Sequence, residues 1–181
     1  MDCSTKTVQR LIATAGDAIV AAGQTRRRRV AWRRDIRGQR VEAPIYRIDE
    51  DGRPQLVGRL APIWPEGCHA GLNAPAWPAP EAARDGWYHG LPYPRYDLRP
   101  QGFLGRTFAR QHAIALGLPV DPRQWDDDAL LIGLGSFGAD LPGDLLVGDV
   151  ALRRFLDGRL QGATSLAADT LPAAYANLGT R

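Results

Sequence analysis

The chain has 181 residues, of which 44% are apolar and 24% charged, a composition typical of a soluble globular protein of one or two domains. Its two cysteines are too few for a disulfide framework and lack the spacing of a structural zinc site, so both classes are excluded. No apolar run approaches the roughly 18 residues of a membrane span and no signal peptide is evident, so we expect a cytoplasmic protein without a membrane partner.

The charge is unevenly distributed along the chain. Residues 1–40 contain ten basic and three acidic side chains, whereas residues 41–181 contain thirteen basic and seventeen acidic ones. This asymmetry predicts a basic module over 1–40 before a mildly acidic module over 41–156. Residues 157–181 are rich in alanine and leucine and are predicted to form a weak helix or a tail.

The first predicted element is an amphipathic helix. Ser4 is a suitable N-cap, and Gly16 is expected to end the helix after Ala15. Its apolar residues recur at the helical spacing i, i+3, i+4 and i+7: Val8, Leu11, Ile12 and Ala15. Its open face is polar and carries Thr5, Lys6, Thr7, Gln9 and Arg10.

A short basic hairpin is predicted to follow this helix. Ile19 and Val20 begin a strand, Gly23–Thr25 turns the chain, and the pattern from Arg26 to Arg34 alternates as a strand does. In that alternation Arg28, Val30 and Trp32 share one face. The run Arg26–Arg29 is either a solvated basic turn or a surface that contacts DNA, and both interpretations stay open.

Together, the helix and hairpin resemble the recognition helix and wing of a winged helix-turn-helix. That resemblance implies DNA contacts through the major groove and the phosphates, made by Thr5, Lys6, Thr7, Gln9, Arg10, Arg26, Arg27, Arg28 and Arg29. A winged helix has two further helices upstream, so we expect an incomplete one here. Three explanations for the missing helices stay open: the start codon is set too late, the gene is a remnant, or another chain covers the apolar side of the helix.

The segment 41–156 is predicted to be a small α+β module. The strands Ile45–Ile48 and Gln55–Leu60 flank Asp51-Gly52, a strong hairpin turn signal. A helix is predicted over about 105–115, closed by Gly117, and a strand-like segment over 92–96. The acidic run Asp126–Asp128 is expected to begin a second helix rather than to bind a metal, because carboxylates suit the positive end of the helix dipole.

No catalytic or cofactor site emerges from the sequence. Gly133–Gly138 matches the dinucleotide fingerprint G-x-G-x-x-G, but Asp140, Pro142 and Gly143 follow at once, so we expect no helix to start there and reject the match. The three histidines have no liganding pair at a suitable spacing, and His112 is expected to be a packing residue of its helix. We therefore predict no catalytic residue, no metal and no cofactor.

The segment Asp97–Arg106, with the sequence DLRPQGFLGR, predicts a defined turn before a helix. It resembles a turn in the N-terminal subdomain of the HipA family of toxin–antitoxin serine/threonine kinases, and most closely the YjjJ-like branch. The hairpin ending in Val57-Gly58-Arg59-Leu60 and the stretch Phe137–Gly148 are similar to further parts of that subdomain. The resemblance implies an incomplete winged helix joined to a HipA N-terminal-like α+β subdomain.

What the resemblance implies about function is mixed, because the family's ATP loop and catalytic aspartate match no segment before Arg181. We expect a non-enzymatic chain with three alternatives: a DNA-binding regulator, a truncated kinase remnant, or a stand-alone antitoxin-like subdomain. The expected partners are DNA and a HipA-like kinase chain or its antitoxin. The candidate partner-binding residues are Arg99, Phe103 and Arg106.

Overall fold

A computed structural model describes residues 4–72, 83, 85–92, 102–141 and 143–160. The helices are α1 (Thr5–Ala15), α2 (Gly102–Leu116), α3 (Asp127–Phe137) and α4 (Asp149–Leu160). The strands are β1 (Ile19–Ala22), β2 (Arg29–Trp32), β3 (Ala43–Ile48), β4 (Pro54–Pro62), β5 (Cys68–Leu72), β6 (Trp87–Tyr88) and β7 (Leu145–Val147). This combination of helices with antiparallel sheets confirms the predicted α+β class.

Helix α1 has the predicted ends. The Ser4 Oγ accepts a hydrogen bond from the Thr7 N–H at 3.3 Å, so it satisfies one of the free amides of the first turn. Gly16 ends the helix at a φ of 53°, a backbone conformation that glycine adopts without a steric penalty. No residue of α1 is buried.

The hairpin of β1 and β2 forms with Ile19 opposite Trp32, but its basic end differs from the prediction. Thr25–Arg27 forms a single 3₁₀ turn, and β2 begins at Arg29. The predicted alternation from Arg26 is therefore wrong at its start. The tight connection after Gly23, where φ is 93°, leaves too few residues to extend the ladder to Arg26.

A five-stranded antiparallel sheet forms the centre of the fold, with the strand order β6-β5-β4-β3-β7. The predicted hairpin is present as β3 and β4, and Gly52 turns the chain between them at a φ of 74°. Strand β7, which follows α3 in the chain, pairs with β3, with Ile45 opposite Val147. The helices α2 and α3 contribute apolar residues to one core with this sheet, in which Ile45, Leu60, Phe108, Leu130, Leu134 and Val147 are all buried.

Helix α3 is longer than the sequence pattern suggested. Its N-cap is Asp126, whose Oδ1 accepts from the Ala129 N–H at 2.7 Å, which confirms that this aspartate has a structural role. The helix continues to Phe137, so most of the segment Gly133–Gly138 lies inside it. The dinucleotide match fails because Gly133 and Gly135 lie inside a helix, and because only a single 3₁₀ turn over Gly138–Asp140 follows them, in line with the expectation that no helix starts there. At Gly133 a Cβ would lie 2.7 Å from the Trp125 ring, so glycine lets that ring pack against α3.

The N-terminal hairpin is joined to the central sheet rather than standing apart from it. The Arg34 N–H donates to the Pro62 carbonyl and the Trp64 N–H donates to the Trp32 carbonyl, each at 2.9 Å. A second apolar cluster closes the junction, formed by Val20, Ala61, Ile63 and Trp87. The Arg34 guanidinium also pairs with Asp128 and donates to the Ile63 carbonyl, so residues 1–40 and 41–156 share packed contacts.

Helix α4 runs across residue 156, where the sequence suggested that a tail begins, and continues to Leu160. There Arg159 donates to the Asp51 carbonyl at 3.1 Å, which links the helix end to the β3–β4 turn. Residues 161–181, which make up most of the predicted tail, and the strand-like segment predicted over 92–96, apart from Pro92, lie outside the described residues. None of the described helices is both long and apolar enough to cross a membrane.

Candidate nucleic-acid interface

Helix α1 places its predicted DNA-contacting residues on an open face. Each of the five is exposed: Thr5, Lys6, Thr7, Gln9 and Arg10. Lys6 and Arg10 are four residues apart and therefore lie on the same side of the helix, opposite the apolar row that begins at Val8. No acidic residue occupies the first turn, so the positive end of the helix dipole adds to the Lys6 charge.

The arginines Arg26, Arg27, Arg28 and Arg29 lie at the far end of the hairpin and are all exposed. Arg27 approaches Asp85, with its Nε 3.8 Å from the carboxylate oxygen, and its side chain stays 60% exposed. Such a surface pair contributes little to stability. Within the described ranges, no acidic side chain forms an ion pair with Arg26, Arg28 or Arg29.

The arginines that follow in the chain differ because their guanidinium groups are paired with carboxylates or carbonyls of the described residues. Arg33 pairs with Glu42 at 3.2 Å, and Arg40 pairs with Asp35 at 2.6 Å. Arg37 donates to the carbonyls of Leu116 and Gly117, which caps the C-terminal end of α2. The structure thus divides the N-terminal cations into a structural group near residues 33–40 and an available group at the hairpin tip. Sequence charge alone could not make this division.

Of the three residues predicted to bind a partner, the structure describes the side chain of one. Arg99 lies outside the described residues. Phe103 lies in the first turn of α2, and its side chain is also outside the described part. Arg106 is exposed in the next turn. Because α2 begins at Gly102, the prediction of a turn continuing to Gly105 is wrong at its end, and the second glycine is helical.

The described residues offer no grouping of three or more His, Cys, Asp or Glu that could hold a metal ion. His112 has a packing role, as the sequence suggested: its ring stacks on Phe137 with centroids 4.0 Å apart, and the Arg154 guanidinium lies 4.0 Å from the same Phe137 ring. His112 Nε2 also lies 3.0 Å from Asp140 Oδ2. These contacts join α2 to α4 and form no recognisable pair of nucleophile and base.

His69 on β5 is partly buried, and its ring meets the Trp87 ring edge-on at 5.0 Å. Burial lowers the pKa of His69, and the nearby Arg33 charge lowers it further, against a hydrogen bond to the Asp85 backbone that raises it. The folded state favours the neutral imidazole, so His69 contributes its full stabilisation of the fold above the unfolded pKa of about 6.5. This stabilisation is lost as the pH falls through the lower pKa of the folded state.

We therefore expect the urea midpoint of unfolding to fall between pH 7.5 and pH 5, and to fall less in a His69→Gln variant. The exposed His89 is a suitable control, since His89→Gln should retain the full pH dependence of the parent chain. An equal pH dependence in the His69 variant and the parent would contradict the assignment. Urea titrations followed by tryptophan fluorescence at each pH provide the measurement.

Two exposed tryptophans were not anticipated from the sequence. Trp32 is 59% exposed and Trp64 is 61% exposed. The sequence alternation predicts that Trp32 shares one face of a strand with Val30, but it does not determine which face the sheet covers. The structure turns Ala31 inward and leaves Val30 and Trp32 in solvent.

The fold and its exposed basic tip define an α+β protein with a cluster of arginines at the tip of its N-terminal hairpin. A family model described as "YjjJ-like toxin, middle domain" matches residues 39–156. The protein "Toxin YjjJ" of Escherichia coli (strain K12) is 32% identical over 179 residues, an alignment that covers 93% of this chain and 38% of that relative. The chain belongs to the YjjJ-like toxin family. It spans less than two-fifths of the length of the curated relative that it matches, and no solved structure matches it.

Proposed function

We propose that this chain is a non-catalytic, DNA-binding regulatory part of a HipA-like toxin–antitoxin kinase system, which acts in the cytoplasm. In this proposal α1 and the tip of the β1–β2 hairpin contact DNA, as the recognition helix and wing of a winged helix do. The acidic module over 41–156 contacts a kinase chain or its antitoxin. The chain itself transfers no phosphoryl group.

One observation carries the DNA-binding proposal: Arg26, Arg28 and Arg29 at the hairpin tip are exposed, and their side chains form no ion pair with any of the residues that the structure describes. Arg26, Arg28 and Arg29 project from a hairpin that is fixed to the central sheet by main-chain hydrogen bonds. Guanidinium groups at such a position bind phosphate oxygens in a fork geometry, and each phosphate contact releases a condensed counterion. Lys6 and Arg10 on α1 supply a second set of cations for the same ligand.

The test is the salt dependence of binding to a mixed-sequence DNA duplex. Replacing Arg26, Arg28 and Arg29 by glutamine is expected to reduce the slope of log K against log salt by about 2.7, since each lost phosphate contact removes about 0.9. Fluorescence anisotropy of a labelled duplex at several salt concentrations measures this slope. If the parent chain shows no binding at low salt, the DNA-binding function is wrong.

A matched control separates local phosphate contacts from net charge. Arg59, Arg110 and Arg153 are exposed on β4, α2 and α4, outside the β1–β2 hairpin. Replacing these three by glutamine removes the same charge and should leave the slope close to that of the parent. Equal losses in both triple variants would mean that the arginines act through long-range attraction alone. Without DNA binding, the antitoxin-like alternative remains, and co-purification with a kinase chain of the same system would support it.

A further inference from the structure

The junction between the N-terminal hairpin and the central sheet contains a histidine. The buried apolar residues of the junction are Val20 of the hairpin and, on the opposite side, Ala61, Ile63 and Trp87. His69 on β5 lies opposite Ala61 of β4 and opposite Trp87 of β6. Cross-strand partners project to the same side of a sheet, so the His69 ring lies on the side that the hairpin covers.

The His69 ring is held in place by strand β6 and the turn before it. Its centroid lies 5.0 Å from that of the Trp87 ring, which it meets edge-on. Gly86 has a φ of 82°, and a Cβ there would lie 2.9 Å from His69 Nε2, so glycine allows the main chain to pass close to this nitrogen. The ring also forms a hydrogen bond with the Asp85 backbone. These contacts hold the imidazole partly buried beside the junction.

The charged groups around His69 come from three segments that meet at the junction. Arg33, directly after β2, and Glu42, directly before β3, both act on the charge of the ring, and they pair with each other at 3.2 Å. From the turn before β6, the Asp85 carboxylate approaches Arg27 of the hairpin at 3.8 Å. Among the described residues, no carboxylate forms an ion pair with His69, so a charge on its ring would not be neutralised directly.

The surroundings of His69 contain more hydrogen-bond donors than acceptors. Trp87 Nε1 and Arg33 Nε are both buried and have no hydrogen-bond partner within the described part of the chain. A neutral imidazole has one N–H donor and one acceptor nitrogen, whereas an imidazolium has two donors. Protonation of His69 therefore adds a donor and a positive charge beside groups that already lack acceptors, and burial raises the cost of both.

This cost disappears when the hairpin leaves the sheet. With the hairpin docked, burial lowers the pKa of His69, and the Arg33 charge lowers it further against the hydrogen bond to Asp85. Once the hairpin is released, the ring is hydrated and Arg33 moves away, so its pKa returns toward about 6.5. The neutral ring thus stabilises docking fully above pH 6.5, and this contribution is lost as the pH falls through the lower pKa of the docked state.

The junction is also the part of the fold that we expect to open first. Among the described residues it buries four apolar side chains, far fewer than the main core that joins the sheet to α2 and α3. The Trp64 N–H donates to the Trp32 carbonyl across it at 2.9 Å. The ion pair of Arg34 with Asp128 lies at the base of the hairpin, so the hairpin can part from the sheet beyond it. Regions with few buried apolar contacts open at a lower free energy than the core.

We propose that His69 is a pH-sensitive switch for the attachment of the N-terminal hairpin. While its ring is neutral the hairpin stays docked on the central sheet, and protonation favours release of β1 and β2 from Ile63, Trp64 and Trp87. The release is local and leaves the main core folded. This inference goes beyond the DNA-binding proposal, on which it does not rest, and it assigns a place in the fold to the effect of acid.

The experiment is residue-resolved amide hydrogen exchange of the full chain without DNA, measured by NMR at pH 7.5 and pH 5.5 and corrected for intrinsic rates. The Trp64 N–H reports on the junction, and the Gly148 N–H, which donates to the Pro44 carbonyl at 2.8 Å, reports on the central sheet. At both pH values we expect lower protection at Trp64 than at Gly148. Between pH 7.5 and pH 5.5 the protection of Trp64 should fall about three- to tenfold. Tenfold is the upper limit, because a free imidazole with a pKa of about 6.5 is ten times more often charged than neutral at pH 5.5.

His69→Gln keeps an N–H donor but does not titrate in this range, so its Trp64 protection should be the same at both pH values. The matched control is His89→Gln, which alters an exposed histidine and should behave as the parent chain does. Equal falls in the parent and in His69→Gln overturn the proposal. The parent chain alone also tests it: protection at Trp64 that does not change with pH overturns it. Equal protection at Trp64 and Gly148 does so too, since the hairpin would then be released only by global unfolding.

Discussion

Replacing Leu130 by alanine is expected to lower the free energy of unfolding by about 3–5 kcal/mol, a loss comparable with much of the stability of a domain of this size. Leu130 is completely buried in α3 and belongs to the apolar core that this helix shares with the central sheet. Removing its isobutyl group costs the transfer energy of the lost atoms. A further cost arises because the sheet residues around it cannot collapse fully into the cavity.

Urea denaturation followed by circular dichroism measures this change, with Ile114→Ala as the matched control. Ile114 lies on α2 with 80% of its surface exposed, so its truncation should shift stability by no more than about 0.5 kcal/mol. A Leu130 variant as stable as the control would mean that α3 does not pack on the sheet as described.

Replacing Gly67 by alanine is expected to destabilise the fold by about 3 kcal/mol or more. Gly67 has a φ of 90°, which is unfavourable for a residue with a side chain. An added Cβ would also lie 2.2 Å from the Tyr88 carbonyl oxygen, so the β4–β5 turn and strand β6 would have to move apart. Strain and overpacking thus act together.

Gly38→Ala separates the two causes. Gly38 has a similarly positive φ of 74°, but a Cβ there would meet nothing within 4 Å. This control should therefore lose about 1–2 kcal/mol through the backbone alone. The difference between the two variants in thermal or urea unfolding measures the contact at Tyr88. Equal losses would show that the turn relaxes without cost.

Much of the fold was predictable because local chemistry determines it. Ser4, Gly16, Gly52, Gly117 and Asp126 cap or turn the chain as their residue types require, and the elements they delimit are present. The predictions that are wrong concern features that depend on tertiary packing. Helix α3 extends through two glycines, Gly133 and Gly135, and Gly133 makes room for the Trp125 ring, a contact that the sequence does not reveal.

The sequence predicts which residues carry positive charge at the candidate site, but not which of them are available to bind a ligand. Arginines recur throughout the segment from Arg26 to Arg40. Whether a given guanidinium is available depends on the carboxylate or carbonyl that the fold brings beside it, such as Asp128 beside Arg34. The same holds for Trp32, whose exposure follows from which side of the hairpin rests on β4.

The attachment of the hairpin to the sheet has a consequence for how the tip would meet a ligand. Residues 33–40 are fastened at several points: Arg34 to Asp128, Arg37 to the end of α2, and Arg40 to Asp35 and to the Asp17 carbonyl. The base of the tip is thus preorganised, and its backbone loses little conformational entropy on binding. The arginine side chains alone remain to be ordered, so a ligand would contact guanidinium groups that can still adjust their positions on a rigid backbone.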